Sequence, residues 1–243
     1  MRKIRYSRWS NASAESLGAE SVFDQLNDYM SDTGDLQQAM RRLKQRGLKQ
    51  GDKQAGGLDD LLSRVTREMR RLYEQYQIQS ALDQVEQQLQ SIVDQERRTL
   101  EQRREARPDL EEKRDFLDHL PNKSSEAIEK LASYDFEDAE ASSEFQKLLS
   151  QLEQIRRLEN SIRREGNLFR GRVPLDFEKA QEVLDQIEAL RRLEGQLSSM
   201  RMEDVDTDLL RKLLGEDLLE EFQGIARMES VLEEGGYIVN QGD

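Results

Sequence analysis

The 243-residue chain carries 37 basic against 50 acidic residues, a net charge of −13, with one histidine and no cysteine. Absent cysteine excludes disulfides and thiolate chemistry, and one histidine excludes every site that needs two, such as HExxH or paired ExxH carboxylate bundles. Apolar residues at 35% and charged residues at 36% suit long helices with a thin buried stripe and solvated outer faces, and the acidic balance argues against nucleic acid, whose binding rests on phosphate neutralisation.

Residues 1–18 read as a short extended arm, basic up to Trp9, with no apolar stretch behind it to make a secretory signal. The arm suits docking on an acidic surface, either this chain's own body or a partner. A first helix is expected from Ala19 to Ser31, burying Val22, Phe23, Leu26 and Met30. Gly34 ends it, and Asp35 caps a second that buries Leu36, Met40 and Leu43 before Gly47, the pair forming an αα-hairpin. Lys49–Gly57, with three glycines, reads as a flexible linker.

Leu58–Ala106 holds no glycine or proline. Leu58, Leu62, Val65, Met69, Leu72 and Tyr76 make one apolar stripe, and Ile78, Leu82, Val85, Leu89 and Ile92 a second, out of phase by one residue. An unbroken helix here would run roughly 70 Å at about 1.5 Å per residue. The chain therefore forms either an extended rod or a break at Gln77–Ser80, where Ser80 can cap a second helix.

Pro108 stops that stretch and Asp109 restarts it, with a helix to Leu120 that ends at Pro121. Ser124 or Ser125 opens a short helix through Ile128 and Leu131. Tyr134 and Phe136 lie on a loop tucked between helices. One long helix is expected from Ser143, through Phe145, Leu148, Leu152, Ile155, Leu158 and Ile162, to Gly166. After the turn Asn167–Leu175, Asp176 caps another with Phe177, Leu184, Ile187, Leu190 and Leu197 on one face. The two should pack antiparallel, with a crossing angle of about +20°.

Three short helices are then expected: one capped by Asp206 or Thr207, running through Leu213 and closed by Gly215, one with Leu218, Leu219 and Phe222, and one with Ile225, Met228, Val231 and Leu232. A strand at Tyr237–Val239 and a turn at Asn240–Gly242 then suggest a winged-helix-like unit cut short at Asp243, as in a fragment of a longer protein. Its third helix, which would face DNA, sets Arg227 against Glu229, Glu233 and Glu234. Residues 201–243 hold four basic and twelve acidic side chains, so protein contact is favoured there over phosphate.

No motif for catalysis appears. His119 has Phe116, not glutamate, three residues before it and reads as a structural or surface residue. The carboxylates alternate with Arg and Lys on helix faces, as at Glu111, Glu112, Lys113 and Arg114. GxxxxGK[ST], GxGxxG and Asp-x-Ser-x-Ser are all missing. The expectation is no enzyme activity, no catalytic, metal or cofactor-binding residues, and no membrane span.

Several segments, taken in order, carry a family resemblance: RYSRW, DYMSDTGDLQQAMRRLKQRG, FLDHLP with LASYDFEDAEASSEFQKLL, LFRGRVPLDFEKAQEVLDQIEAL, and the ending from Asp208. They resemble the helical N-terminal region of bacterial von Willebrand factor A (VWA) domain proteins of the carbon-monoxide-dehydrogenase-accessory or magnesium-chelatase type. This chain is shorter between the Tyr134 loop and the Leu168 turn and carries neither the second strand nor the VWA domain, so no metal-ion-dependent adhesion site can be assigned to it. The resemblance implies a partner role beside MoxR-type AAA+ ATPases that remodel client proteins or insert metal into them.

The expected fold is all-α, an elongated bundle of long antiparallel hairpins ending in the truncated winged-helix-like unit. Its divisions are 1–48 (arm and hairpin), 49–57 (linker), 58–202 (long-helix bundle) and 203–243. The expected function is a non-catalytic, cytoplasmic scaffold or adaptor that contacts an ATPase or client protein. A self-associating coiled coil with Leu58–Leu100 as its seam is the alternative, and an acidic DNA-binding regulator a remote one.

Overall fold

The computed structural model describes residues 19–50, 53–103 and 110–234. The basic arm with Trp9, the Arg107–Asp109 restart, and the Tyr237–Val239 strand with its turn lie outside the described residues. Among the described residues the fold is all-α. The helices are α1 (Ala19–Thr33), α2 (Leu36–Arg46), α3 (Leu58–Gln75), α4 (Gln79–Arg103), α5 (Leu110–Asp118), α6 (Ser124–Leu131), α7 (Ala139–Ser150), α8 (Leu152–Glu165), α9 (Phe177–Ser198), α10 (Thr207–Leu214) and α11 (Glu216–Glu234). Short strands β1 (Leu48–Gln50), β2 (Lys53–Ala55), β3 (Tyr76–Gln77) and β4 (Val173–Pro174) pair two by two. The chain divides into two compact units: Met1–Arg70 with Gln186–Asp243, and Arg71–Asp185.

In the first unit, α1 and α2 form the expected helical hairpin. Gly34 takes a left-handed φ of +66° between them, and Asp35 caps α2 by accepting from Gln38 N–H at 2.9 Å. The buried residues are Val22, Leu26 and Tyr29 on α1, and Ala39 and Leu43 on α2, whereas Leu36 stays exposed. The stretch expected to be a flexible linker instead makes an antiparallel hairpin, β1 with β2, in register Leu48↔Ala55. Behind it Gly57 lies so close to α2 that a Cβ would stand 2.1 Å from the Gln45 carbonyl oxygen. Glycine here permits a backbone-to-backbone approach, and flexibility is not its use.

The C-terminal segment also departs from expectation. Instead of three helices there are two, because α11 runs through Gly224, where a Cβ would meet open space. Leu218, Leu219, Phe222, Ile225, Met228 and Leu232 are buried in one continuous stripe. That stripe fits a single helix, and the short third helix of a winged-helix unit is not formed. Nor does this segment stand apart: α11 packs against α10, α1 and α2, and Arg64 of α3 reaches Glu221 at 3.4 Å.

The second unit is built around α4, which packs against α5, α6, α7 and α8. The break between the two apolar stripes occurs where their phases disagree: α3 stops at Gln75 and α4 begins at Gln79. The continuous rod does not form. Ser80 is not a cap. Its hydroxyl donates to Leu175 carbonyl at 3.0 Å and accepts from Leu175 N–H at 2.8 Å. Within the stripes Leu61 and Ala81 are fully buried, one position before the expected Leu62 and Leu82.

The helix expected from Ser143 to Gly166 is two helices, α7 and α8, parted at Gln151 (φ −99°, ψ 5°). Neither glycine nor proline marks that joint, and nothing in the local residues explains it. Polar contacts tie α8 to the start of α9, with Arg157 to Asp185 at 2.5 Å and Gln181 to the Gln154 carbonyl at 3.3 Å.

Candidate functional site

Buried acids are the costliest groups in an apolar interior, so their partners reveal whether they serve chemistry or structure. Glu96, on the inner face of α4, is fully buried. One of its oxygens accepts from Tyr134 O–H at 3.0 Å and Glu137 N–H at 2.9 Å, and the other from Asp138 N–H at 2.9 Å. Asp138 in turn caps α7, accepting from Glu140 and Ala141 N–H, with Thr99 and Gln95 as further donors. The Ala141 N–H and the Thr99 hydroxyl hold the Asp138 carboxyl below its ordinary range. Burial, reinforced by Glu96, pushes the Tyr134 phenol far above its usual value. The Tyr134 phenol therefore serves as a hydrogen-bond donor to Glu96 at neutral pH.

Glu159 of α8 does for α6 what Glu96 does for α7. It accepts from Ser125 N–H at 2.9 Å and from Ser125 O–H at 2.6 Å. Lys123, at the helix cap, supplies no side-chain cap, so the first turn of α6 draws its acceptor from a helix elsewhere in the chain. Around this framework Phe116, Tyr134, Phe136 and Phe145 stack in a chain with centroids 4.9–5.3 Å apart. This is the tucked aromatic loop that the sequence suggested. Both acids are helix caps from a distance, and neither is poised for acid–base work.

His119 is exposed, and its Nδ1 lies 2.7 Å from the Asp115 carbonyl oxygen. Among the described residues no group of three His, Cys, Asp or Glu could hold a metal ion. An open cleft of about 350 Å³ is lined by Arg97, Arg98, Glu101, Arg114 and Asp118. Its charges are largely answered from within, Arg97 by Asp118 at 2.7 Å and Arg114 by Glu101 at 3.5 Å. No helix among the described residues is long and apolar enough to cross a membrane.

One surface of the second unit stands out, at the turn expected over Asn167–Leu175. Residues 166–175 are held against the end of α3. Arg170 N–H donates to the Tyr73 carbonyl at 3.0 Å and Gly171 N–H to the Tyr76 carbonyl at 3.2 Å. β3 and β4 pair in parallel, Tyr76↔Val173 and Gln77↔Pro174. Phe169 is buried edge-on against Tyr73, with centroids 4.8 Å apart. A Cβ on Gly171 would lie 2.1 Å from the Gln75 carbonyl carbon, so glycine is what lets the two backbones meet. The anchored turn turns outward Leu168, 43% exposed, and Val173, 47% exposed.

By class, then, this is a helical protein whose buried acids hold helices together. A family model described as the Mb0984 helical domain matches residues 79–151, which spans α4 to α7. The match covers less than a third of the chain and includes Glu96 and its capping partners. No curated protein and no solved structure matches the chain.

Proposed function

We propose that the chain is a non-catalytic helical adaptor whose work is protein–protein contact. The anchored turn at 166–175 supports this reading best. Exposed leucine and valine on a backbone fixed by hydrogen bonds and a parallel strand pair favour a partner that binds a pre-shaped surface. The use of Glu96 and Glu159 as helix caps agrees with it, since their oxygens are already committed.

The resemblance to the N-terminal regions of VWA proteins extends the proposal. The partner would be a MoxR-type AAA+ ATPase, a client protein, or both, met in the cytoplasm, in a chaperone-like or metal-inserting role with no nucleic acid involved. The coiled-coil alternative draws less support, because its seam is interrupted at Tyr76–Gln77 and its apolar residues are spent inside the chain. Immobilising the full chain and passing a MoxR-type ATPase over it, with and without ATP, tests the proposal. Saturable binding in the micromolar range or tighter is expected. Absence of binding in both nucleotide states overturns the assignment of that partner.

A further inference from the structure

The turn at 166–175 and the helix end before it are locally basic, although the molecule as a whole is acidic. Between Arg163 and Pro174 there are four arginines, at 163, 164, 170 and 172, and one acid, Glu165. All four arginines are exposed. Arg163 bonds the neutral Asn160 side chain and Arg170 the Asn167 carbonyl. None of the four pairs with a carboxylate among the described residues, whereas Arg156 and Arg157 two turns earlier each do. Glu165 accepts the Tyr73 hydroxyl at 2.7 Å, and the next acid, Asp176, accepts Lys179 N–H at 2.7 Å. Arg163 and Arg164 also lie in the last turn of α8, where the helix dipole favours cations. That accounts for their presence and leaves their outward guanidinium groups unanswered.

We propose that this turn docks an acidic segment of a different protein, one that alternates carboxylates with apolar side chains. The guanidinium forks would take carboxylates in paired hydrogen bonds, and Leu168 and Val173 would take the apolar side chains between them. Val173, on the short strand β4, presents its side chain to that segment. A second copy of this chain is a poorer occupant. A two-fold contact through this surface would set arginine against arginine. Nucleic acid is disfavoured by the field of a chain with net charge −13.

The proposal rests on the adaptor reading, and one set of measurements separates them. The full chain is titrated by fluorescence anisotropy with three labelled 15-residue probes: a peptide alternating Glu with Leu, its counterpart alternating Lys with Leu, and an oligothymidylate. Saturable binding of the Glu/Leu peptide is expected, weakened at least tenfold in R163E/R164E/R170E/R172E and several-fold in L168S/V173S. Both variants change exposed side chains only, so unaltered helical circular dichroism and melting should accompany the loss. Binding that is equal in wild type and variants, absent, or stronger for either of the other probes overturns the proposal. So does a dimer in sedimentation equilibrium that the same substitutions abolish. If the MoxR-type ATPase binds wild type and the quadruple variant alike, the surface assignment fails while the adaptor reading stands. If the ATPase does not bind but the Glu/Leu peptide does, in the manner described, the surface assignment stands and only the choice of the ATPase as partner fails.

Discussion

Glu96 in the second unit and Glu221 in the first are both carboxylates set against neighbouring helices, yet their surroundings oppose one another. Glu96 receives three hydrogen bonds, two of them from backbone N–H groups ahead of α7. Glu221 has Arg64 at 3.4 Å on one oxygen, while its other oxygen is buried with no hydrogen-bond partner. Burial pushes the Glu221 carboxyl above its ordinary range. Arg64 pulls it down, and the nearby acids Asp60 and Asp217 push it further up. One acid is built into its surroundings and the other is tolerated by them. The lesson is that a buried carboxylate stabilises a fold only where donors converge on both of its oxygens.

The largest expected effect follows from the geometry at Glu96. In Glu96→Gln the amide NH₂ must face a backbone N–H whichever way it turns, either that of Glu137 or that of Asp138. A loss of about 2–4 kcal/mol is expected for leaving such buried donors unmatched. It would be read from the shift in urea midpoint at constant slope. A change below about 0.5 kcal/mol would show that the contacts around Glu96 are incidental.

Glu159→Gln should be milder, because there the chemistry allows a repair. The amide oxygen can keep Ser125 N–H, and the NH₂ can donate to a Ser125 hydroxyl that turns to accept. We expect a cost under about 1 kcal/mol. If Glu159→Gln proved as damaging as Glu96→Gln, the charge itself, facing Lys123 at 3.6 Å, would be the operative feature.

The smallest effect concerns pH and differs in sign between the units. Folding raises the proton affinity of Glu221, so protonation favours the native first unit. Its stability should rise as pH falls from 7 toward the ordinary glutamate range and level off below it. Asp138 runs the other way. Its folded carboxyl is held low, so its contribution is present at neutral pH and fades as pH drops below the ordinary aspartate range. Hydrogen exchange of α11 amides against α7 amides over pH 3–7 reads both trends, and Glu221→Gln should flatten the first alone. Parallel slopes in the two units would refute the contrast.

Much of this architecture was legible in the residues, for definite reasons. Asp35, Asp176 and Asp206 were readable as caps because capping is local, and each accepts an N–H three residues on. The one-residue slip between stripes left two readings open, an extended rod or a break near Ser80, and the break is the one that forms. The role of Ser80 was not legible, since its partner Leu175 lies 95 positions away. The caps that Glu96 and Glu159 supply were hidden for the same reason, being 34 to 42 positions from the N–H groups they receive. Lys49–Gly57 looked like linker because glycine signals freedom and tight packing with the same letter. Merging of the last helices turned on Gly224, which a helix accepts wherever its stripe continues on both sides. The candidate surface was written in the letters NLFRGRVP, but its meaning required knowing that the backbone there is anchored.

The first unit is assembled from two pieces of chain with residues 71–185 between them, and that interruption has a consequence during synthesis. At roughly 5–20 residues per second, on the order of ten seconds pass between the emergence of the α1–α2 hairpin and the arrival of α11. For that interval α1 and α2 lack the helix that finally packs against them, and the nascent protein depends on whatever shields that hairpin in the meantime.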